Sequence, residues 1–321
     1  MGSRAASLLP SVAGVTSVVV DDPRSAHAVA VAGSVGPNCV ALAPGDDWLA
    51  SGAEIVILAS PPNHERDARA ALRAGMHVIS VSDDLADIEG LLDLDGYARG
   101  LGRTVLVGAG FAPGLTCLLA RHGAAELAIV DEVHVAKVGT AGPACARQHH
   151  RALKSNGRDW RDGAWVLVSG GSGRELCWFP DPIGGADCYR AALGDPLLLH
   201  GYFLDATRVT ARMSATRRDR LTARLPMLRP PHAEAGLGAI RVELRGRRND
   251  QAEVIVFGCM ERPSVAAGTT LAVVTGTLAS GGCPSGAGGL GSMIPIVPTL
   301  NELARRGIRC SRFEGSPDHS V

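Results

Sequence analysis

Segments with the pattern of β-strands alternate with segments with the pattern of helices over the first 128 residues. The clearest strand is residues 54–59, a nearly continuous apolar run that is typical of a strand covered on both faces. Two prolines then begin a helix that Gly75 ends. Strands separated by helices predict an α/β fold with a doubly wound parallel sheet. The other expected strands of this half are residues 16–20, 39–43, 77–81 and 104–107.

The second half is richer in strands, and longer connections separate them. Two of its strands flank a hairpin loop at residues 247–250. This pattern predicts a second, α+β domain with a mostly antiparallel sheet. A helix is expected at residues 265–278, and a Gly-rich loop at residues 281–291. The expected strands are residues 133–138, 165–169, 175–179, 208–214, 239–245 and 253–259.

The last predicted helix has clear ends. Thr299 and Glu302 form a capping box at its start. Gly307 follows two arginines at its end, as is common after a helix. We expect this helix to return and pack on the first domain.

The start of the chain has the pattern of a helix, an apolar strand at residues 18–20, and then Asp21 and Asp22. In a dinucleotide-binding βαβ unit, a first strand and a G-x-G-x-x-G turn precede the helix, and an acid about 20 positions on binds the ribose. Gly2 has the position of the third glycine. We therefore expect a Rossmann-like sheet that lacks its first strand, with Met1 an internal methionine of a longer gene product. The alternative is a genuinely shortened domain that binds no cofactor.

The missing strand also yields a structural expectation. The first strand of such a fold lies centrally in the sheet, between the strands that come second and fourth in sequence. Its loss would leave either a gap in the sheet or a changed strand pairing. The first helix would then begin with N–H groups that no side chain caps.

Composition narrows the class of protein. The formal net charge is zero and there is no charged tail, which argues against a nucleic-acid or membrane-surface partner. The sequence has no uninterrupted apolar run of about 18 residues, so no transmembrane helix is predicted. The eight cysteines form no C-x-x-C motif, so we expect reduced thiols in a cytoplasmic protein and no metal site. Only Lys137 and Lys154 among the 32 basic residues are lysine, which with abundant Ala, Gly and Arg indicates a high-GC bacterium.

Residues 105–116, VLVGAGFAPGLT, combine a strand, a G-x-G-F-x-P-G turn and the start of a helix. Together with residues 54–62 and 70–80, they resemble the saccharopine dehydrogenase-like (saccharopine reductase-like) NAD(P)-binding family. The resemblance covers residues 1–130, whereas the second half fits only that family's general plan of an inserted substrate domain and a returning helix. It implies a cofactor domain at 1–130, a substrate and dimerisation domain at 131–280, and a loop and helix at 281–321.

The implied activity is that of an NAD(P)-dependent oxidoreductase, which transfers a hydride at a carbon–nitrogen bond of an amino-acid-like substrate. We further expect a homodimer. Two alternatives stay open. One is a dihydrodipicolinate reductase-like or homoserine dehydrogenase-like enzyme, and the other is a non-catalytic Rossmann-like binding or regulatory protein.

The expected cofactor-binding residues follow strands of the sheet or begin its first helix, because ligands bind outside the carboxyl ends of parallel strands. Asp21 or Asp22 would bind the adenosine ribose, and Arg24 could instead meet a 2′-phosphate, so NAD and NADP both stay open. The full set is Gly2, Ser3, Asp21, Asp22, Ser60, Pro61, Pro62, Ser80, Gly110, Phe111, Pro113 and Gly114.

Candidate catalytic residues lie in residues 137–151, the densest polar cluster of the chain. His149 or His150 suits a proton donor near neutral pH. Arg147 or Arg151 could bind a substrate carboxylate in bidentate fashion. Lys137 is a candidate acid or base if it is buried. The alternative is an exposed basic helix with solvated histidines.

Overall fold

The computed structural model describes residues 1–227 and 236–313. Its first half alternates strands and helices as the sequence predicts. The elements are α1 (Gly2–Leu8), β1 (Val18–Val20), α2 (Ser25–Val35), β2 (Cys39–Ala41), β3 (Ile55–Leu58), α3 (His64–Arg73), β4 (His77–Ser80), α4 (Leu85–Leu92), α5 (Asp95–Gly100), β5 (Thr104–Val107) and α6 (Leu115–Ala124).

The second half contains most of the strands. Its elements are β6 (Ile129–Val138), α7 (Pro143–Lys154), β7 (Gly157–Arg161), β8 (Ala164–Val168), β9 (Glu175–Trp178), β10 (Gly185–Arg190), α8 (Asp195–His200), β11 (Arg208–Ser214), α9 (Arg217–Thr222), β12 (Gly238–Arg248), β13 (Gln251–Glu261), α10 (Pro263–Ala279), β14 (Gly286–Gly289), α11 (Leu290–Met293), α12 (Ile296–Arg305) and β15 (Cys310–Arg312).

The parallel strands of the first half form two separate sheets. β1 pairs with β2, whereas β3, β4, β5 and β14 form a four-stranded sheet in the order β14-β5-β4-β3. No pairing in the described part of the chain joins β1 to β3. The parallel strands are thus divided by a gap between β1 and β3, which is one of the two arrangements expected above. The helix α1 also begins without a side-chain cap, as expected.

The strand β3 corrects one expectation. Its apolar run predicts cover on both faces, but Ile55, Val56 and Ile57 are only half-buried and Leu58 alone is buried. β3 is an edge strand of its sheet, so one side lacks a neighbour. The side chain of Ile57 packs against the small cluster beneath β1 and β2, which bridges the gap by packing and not by hydrogen bonds.

The second sheet is mixed and mostly antiparallel, with the main strand order β15-β13-β12-β6-β11-β10-β9. Its only parallel pairing among the described strands joins β6 and β11. The predicted hairpin is confirmed as β12 and β13, and both strands are longer than expected. Asn249 and Asp250, with φ of 48° and 62°, form the two-residue turn, whose left-handed backbone suits a tight hairpin.

Two expectations near the C-terminus are wrong. Part of the expected Gly-rich loop is the strand β14, which extends the first sheet by parallel pairing with β5. The capping box is also wrong, because α12 begins at Ile296 and Thr299 lies within it, where its hydroxyl donates to the carbonyl oxygen of Pro295. Residues 314–321, the end of the expected third segment, lie outside the described residues.

Helices α1, α10, α12 and α6 pack in succession and join the two halves of the chain. α1 lies against α10 at close range, because a Cβ on Gly268 would be only 2.9 Å from the Cβ of Arg4. α12 packs on α10 and on α6 of the first half, as the sequence predicts. None of the helices in the described residues has the length and apolar character needed to span a bilayer.

Candidate active site

A cleft that opens to solvent, with a cavity volume of about 90 Å³, lies between the first sheet and the start of α7. Its walls include the segments that follow β3, β4 and β5 at their carboxyl ends, where parallel α/β sheets bind ligands. The end of β6, the first two turns of α7 and the start of α10 close the other side. Polar residues on this side are Lys137, Cys145, Gln148 and His149.

Four ionisable side chains meet at the wall of this cleft. The Oδ2 atom of Asp83 is 3.4 Å from Nε2 of His149 and 3.7 Å from Nζ of Lys137. The Sγ atom of Cys145 is 3.5 Å from Nε2 of His149 and 3.9 Å from Oδ2 of Asp83. Lys137 also donates a 3.0 Å hydrogen bond to the carbonyl oxygen of Ala112. Two acidic and two basic groups therefore share one small volume.

Local structure explains why these residues converge. Cys145 and His149 are four residues apart on α7, so both project from one face of the helix. Lys137 is the penultimate residue of β6, which leads into the loop before that helix. Asp83 lies beyond β4 at the carboxyl end of the parallel sheet. Lys137 and His149 are only 4% and 7% exposed, which keeps their charges away from bulk solvent.

The pKa values of the cluster depart from their ordinary values. Burial lowers the pKa of His149, but the charge of Cys145 and hydrogen bonds with Asp83 and Cys145 outweigh it and raise this pKa to about 9. Burial raises the pKa of Cys145, yet the neighbouring His149 brings it below the ordinary thiol value. Burial likewise opposes ionisation of Asp83, and the hydrogen bond from His149 and the charge of Lys137 still lower its pKa. The cluster therefore favours a protonated imidazole beside an ionised carboxylate, and it eases ionisation of the neighbouring thiol.

The structure brings together some of the predicted catalytic residues but not others. Lys137 and His149 line the cleft. His150 lies outside the cleft lining and contacts the carbonyl oxygen of Leu225 through Nε2 at 2.8 Å. Arg147 is exposed and lies outside the lining too. Arg151 donates to the side-chain oxygen of Gln148.

Most of the loop residues expected to bind cofactor do line the cleft. They are Ser60, Pro61, Pro62, Gly110, Phe111 and Pro113. Gly114 shapes the turn instead, since its φ is +127° and an added Cβ would be 2.3 Å from the carbonyl oxygen of Gly110. Ser80 is fully buried and hydrogen-bonds Nδ1 of His64 at 2.8 Å, so it supports the end of β4 beneath the cleft.

None of the four residues expected at the dinucleotide's phosphate and ribose is part of the cleft lining. Met1 lines the cleft, and Gly2 follows it as the first residue of α1, where an added Cβ would be 3.3 Å from the Cβ of Ala59. Ser3 is exposed. The remaining two are Asp21 and Asp22, of which Asp21 is exposed.

Asp22 already has protein partners. Its Oδ1 accepts from the backbone N–H of Arg24 at 2.9 Å, and its Oδ2 is 2.8 Å from Nδ1 of His27. Partial burial opposes the charge, but hydrogen bonds from Arg24 and His27 lower the pKa of Asp22 to about 2. The carboxylate is thus ionised and turned toward Arg24 and His27.

Asp83 and Cys145 are absent from the expected set, although each carries a signal. Asp83 follows a predicted parallel strand, where polar residues reach the ligand edge of the sheet. Cys145 precedes His149 at helical spacing, which places a thiol and an imidazole together. Neither signal is specific by itself, because Asp83 meets Cys145 and His149 only when the two halves of the chain pack together.

Comparison with solved structures finds the same fold in dehydrogenases. Saccharopine dehydrogenase (L-Glu forming) from Saccharomyces cerevisiae matches with a TM-score of 0.68 at 16% identity over 98% of both chains. A probable dehydrogenase from Thermotoga maritima matches with a TM-score of 0.52 at 12% identity, over 97% of this chain and 95% of the other. Amine dehydrogenase from Mycobacterium smegmatis matches with a TM-score of 0.51 at 12% identity, over 92% and 94%.

The fold is thus the one seen in Rossmann-type dehydrogenases, and the resemblance to saccharopine dehydrogenase seen in the sequence is confirmed at the level of the fold. No protein-family profile matches the sequence. No curated protein matches it either.

Proposed function

We propose that this chain is an NAD(P)-dependent oxidoreductase that transfers a hydride at a carbon–nitrogen bond of an amino-acid-like substrate. The observation that carries the proposal is the buried cluster of Lys137, Asp83, His149 and Cys145. It lies in a cleft at the carboxyl ends of parallel strands, in a fold shared with dehydrogenases. Perturbed ionisable groups that converge in such a cleft are typical of active sites.

The residues present fit a nicotinamide dinucleotide. Met1, the residue before α1, lines the cleft, and α1 begins without a side-chain cap. Phe111, Pro113 and Pro62 also line the cleft and give it an apolar wall suited to a flat ring. When bound, the cofactor supplies the hydride for reduction of a carbon–nitrogen bond, or accepts it in the reverse direction.

The cluster supplies the proton and the charge that such a reaction needs. His149 would give a proton to the substrate nitrogen on reduction and take it back on oxidation. Lys137, held by the carbonyl oxygen of Ala112, would pair with a substrate carboxylate. Asp83 faces both basic groups and keeps them in position. His150 and Arg147 have no role in this proposal.

Calorimetry and a substrate screen test the proposal. We expect binding of NADH or NADPH, and turnover of an amino or imino acid detected by mass spectrometry. His149→Gln is expected to lower kcat by about 100-fold, in the range typical of general acid–base catalysis. His150→Gln is the matched control on the same helix and is expected to leave kcat unchanged. Loss of activity in both variants, or binding of neither cofactor, would refute the proposed role.

A non-catalytic binding or regulatory protein is the second candidate function. The break between β1 and β3 favours it, since a complete dinucleotide site needs the turn that follows the central strand. A protein of this kind would bind a small amino acid without turnover. Ligand binding that His149→Gln leaves unchanged, with no reaction for any cofactor, would favour this candidate over the oxidoreductase.

A homodimer is also proposed, through β8 and β9, each of which ends one branch of the second sheet. Leu167, Leu176 and Trp178 on these strands are 68%, 57% and 61% exposed. An apolar edge of this kind suits pairing with a second copy of the chain. We expect sedimentation to give the mass of a dimer, and Trp178→Arg to give a monomer. A monomeric wild-type protein would exclude the dimer.

A further inference from the structure

We propose that Asp83, Cys145 and His149 form a Zn²⁺ site with one position open to the cleft. The structure offers one ligand atom from each residue: Oδ2, Sγ and Nε2. The separations of these atoms are 3.4 Å between Asp83 and His149, 3.5 Å between Cys145 and His149, and 3.9 Å between Cys145 and Asp83. This inference stands apart from the proposed oxidoreductase activity, because Nε2 of His149 cannot bind zinc and donate the reaction's proton at the same time.

The distances agree with a tetrahedral zinc site. Zinc bonds of about 2.0–2.3 Å to nitrogen, oxygen and sulfur place tetrahedral ligand atoms about 3.3–3.6 Å apart. Two of the three separations already lie in that range, and the third needs a movement of a few tenths of an ångström. An imidazole, a thiolate and a carboxylate are also the ligand types that zinc selects over magnesium or calcium.

The surroundings give the site its open position. All three ligand residues line the cleft, so the side that faces away from the protein is available to a further ligand. Three protein ligands and one exchangeable position are characteristic of catalytic rather than structural zinc. The open position would take the amine or carboxylate of an amino-acid-like molecule. A site of this type has no C-x-x-C motif; its sequence signal is Cys145 and His149 at helical spacing plus one distant acid.

Lys137 is the charged group that opposes the metal. Its Nζ lies 3.7 Å from the Oδ2 of Asp83, so its positive charge remains beside the bound ion. Thiolate and carboxylate together balance the charge of Zn²⁺, and Lys137 then adds an unbalanced cation. Removal of this cation should therefore strengthen metal binding. If Cys145 and His149 only pair with each other and bind no metal, removal of the Lys137 charge will reveal no metal affinity.

Metal titration of the purified full-length chain tests the proposal. The protein is stripped with a chelator under reducing conditions and titrated with Co²⁺. We expect one Co²⁺ per chain, with a thiolate-to-cobalt charge-transfer band and visible bands of tetrahedral cobalt, both lost when Zn²⁺ is added. Cys145→Ser should remove the charge-transfer band, and His149→Gln should weaken binding at least 10-fold. Lys137→Met should strengthen binding several-fold.

Cys283→Ser is the matched control, because Cys283 is a partly exposed thiol that is not part of the cluster. This variant should keep the band and the affinity of the wild type. Circular dichroism establishes that each variant is folded. Absence of the band in folded wild-type protein would overturn the proposal. Equal loss in Cys145→Ser and Cys283→Ser, or a band that survives His149→Gln at full affinity, would also overturn it.

Discussion

The Sγ atom of Cys145 lies 3.5 Å from the Nε2 atom of His149, one turn further along α7. This contact couples the two protonation states, because each charge stabilises the other in a buried place. It raises the pKa of His149 to about 9 against the effect of burial and lowers the pKa of Cys145. The behaviour of each residue with pH should therefore depend on the presence of the other.

Removal of the thiol should lower the pKa of His149. In metal-free protein His149 stays protonated up to pH of about 9, so the rate of a reductive reaction that uses its proton should fall only above that pH. In Cys145→Ser the imidazole loses its anionic partner, and the fall should move to lower pH. NMR titration of the His149 ring measures the same shift without any substrate. An unchanged His149 titration in this variant would show that the contact is not electrostatic.

The raised pKa of His149 also makes the free energy of unfolding depend on pH. A pKa that is higher in the folded state than in the unfolded chain contributes stability below about pH 6.5, and that contribution is lost as pH rises through about 9. The free energy of unfolding of wild-type protein should therefore exceed that of His149→Gln most clearly below about pH 6.5. The difference should shrink as the pH rises from there through about 9. Urea denaturation at several pH values measures it, and a difference that grows with pH would contradict the assignment.

Cys145 should be more reactive than Cys283 in metal-free protein near neutral pH. Its pKa is lowered by the nearby imidazolium against the effect of burial, whereas burial raises the pKa of Cys283 to about 11. Since the thiolate is the nucleophile, iodoacetamide should label Cys145 well before Cys283. Peptide mapping by mass spectrometry gives the order of labelling. His149→Gln should abolish the preference, and bound Zn²⁺ should protect Cys145.

Much of the fold is local information and could be read from the sequence. The strand Thr104–Val107 has the predicted bounds, and the hairpin turn at Asn249 and Asp250 falls within the predicted loop. β14 could not be predicted, because Gly286–Gly289 carries almost no side chains and no hydrophobic pattern. It is a strand only because β5 offers it an edge for pairing, and that edge lies far away in the sequence.

The residues of the candidate site also differ in how far the sequence alone predicts them. Lys137 and His149 belong to one polar segment, so composition alone drew attention to them. Asp83 comes from the end of β4, and only the packing of α7 against that end joins it to the other residues. His150 and Arg147 belong to the same polar segment but lie outside the cleft, since their positions on α7 differ from that of His149. The four-residue spacing from Cys145 is the sequence signal that distinguishes His149 from Arg147 and His150.

Gly114 should be intolerant of substitution. Its φ of +127° is strained for any side chain, and an added Cβ would be 2.3 Å from the carbonyl oxygen of Gly110, which is a backbone atom. Gly114→Ala should therefore lower the free energy of unfolding by more than about 2 kcal/mol. Gly281→Ala is the matched control, because Gly281 also has a positive φ of +73° but open space around it. Urea denaturation should show the larger loss for Gly114→Ala, and equal losses would mean that the close contact is relieved by movement.

Asp22 should decide between the two cofactors. Its carboxylate holds Arg24 through a backbone and a side-chain hydrogen bond, and its low pKa keeps it charged over the usual pH range. A negative charge here favours a ribose hydroxyl and repels a 2′-phosphate. Asp22→Asn removes the repulsion and frees Arg24 to bind phosphate oxygens, so affinity should fall for NADH and rise for NADPH. Calorimetry with both cofactors measures the two changes. Arg24→Gln in the same background should remove the gain for NADPH, and a parallel change for both cofactors would place the ribose elsewhere.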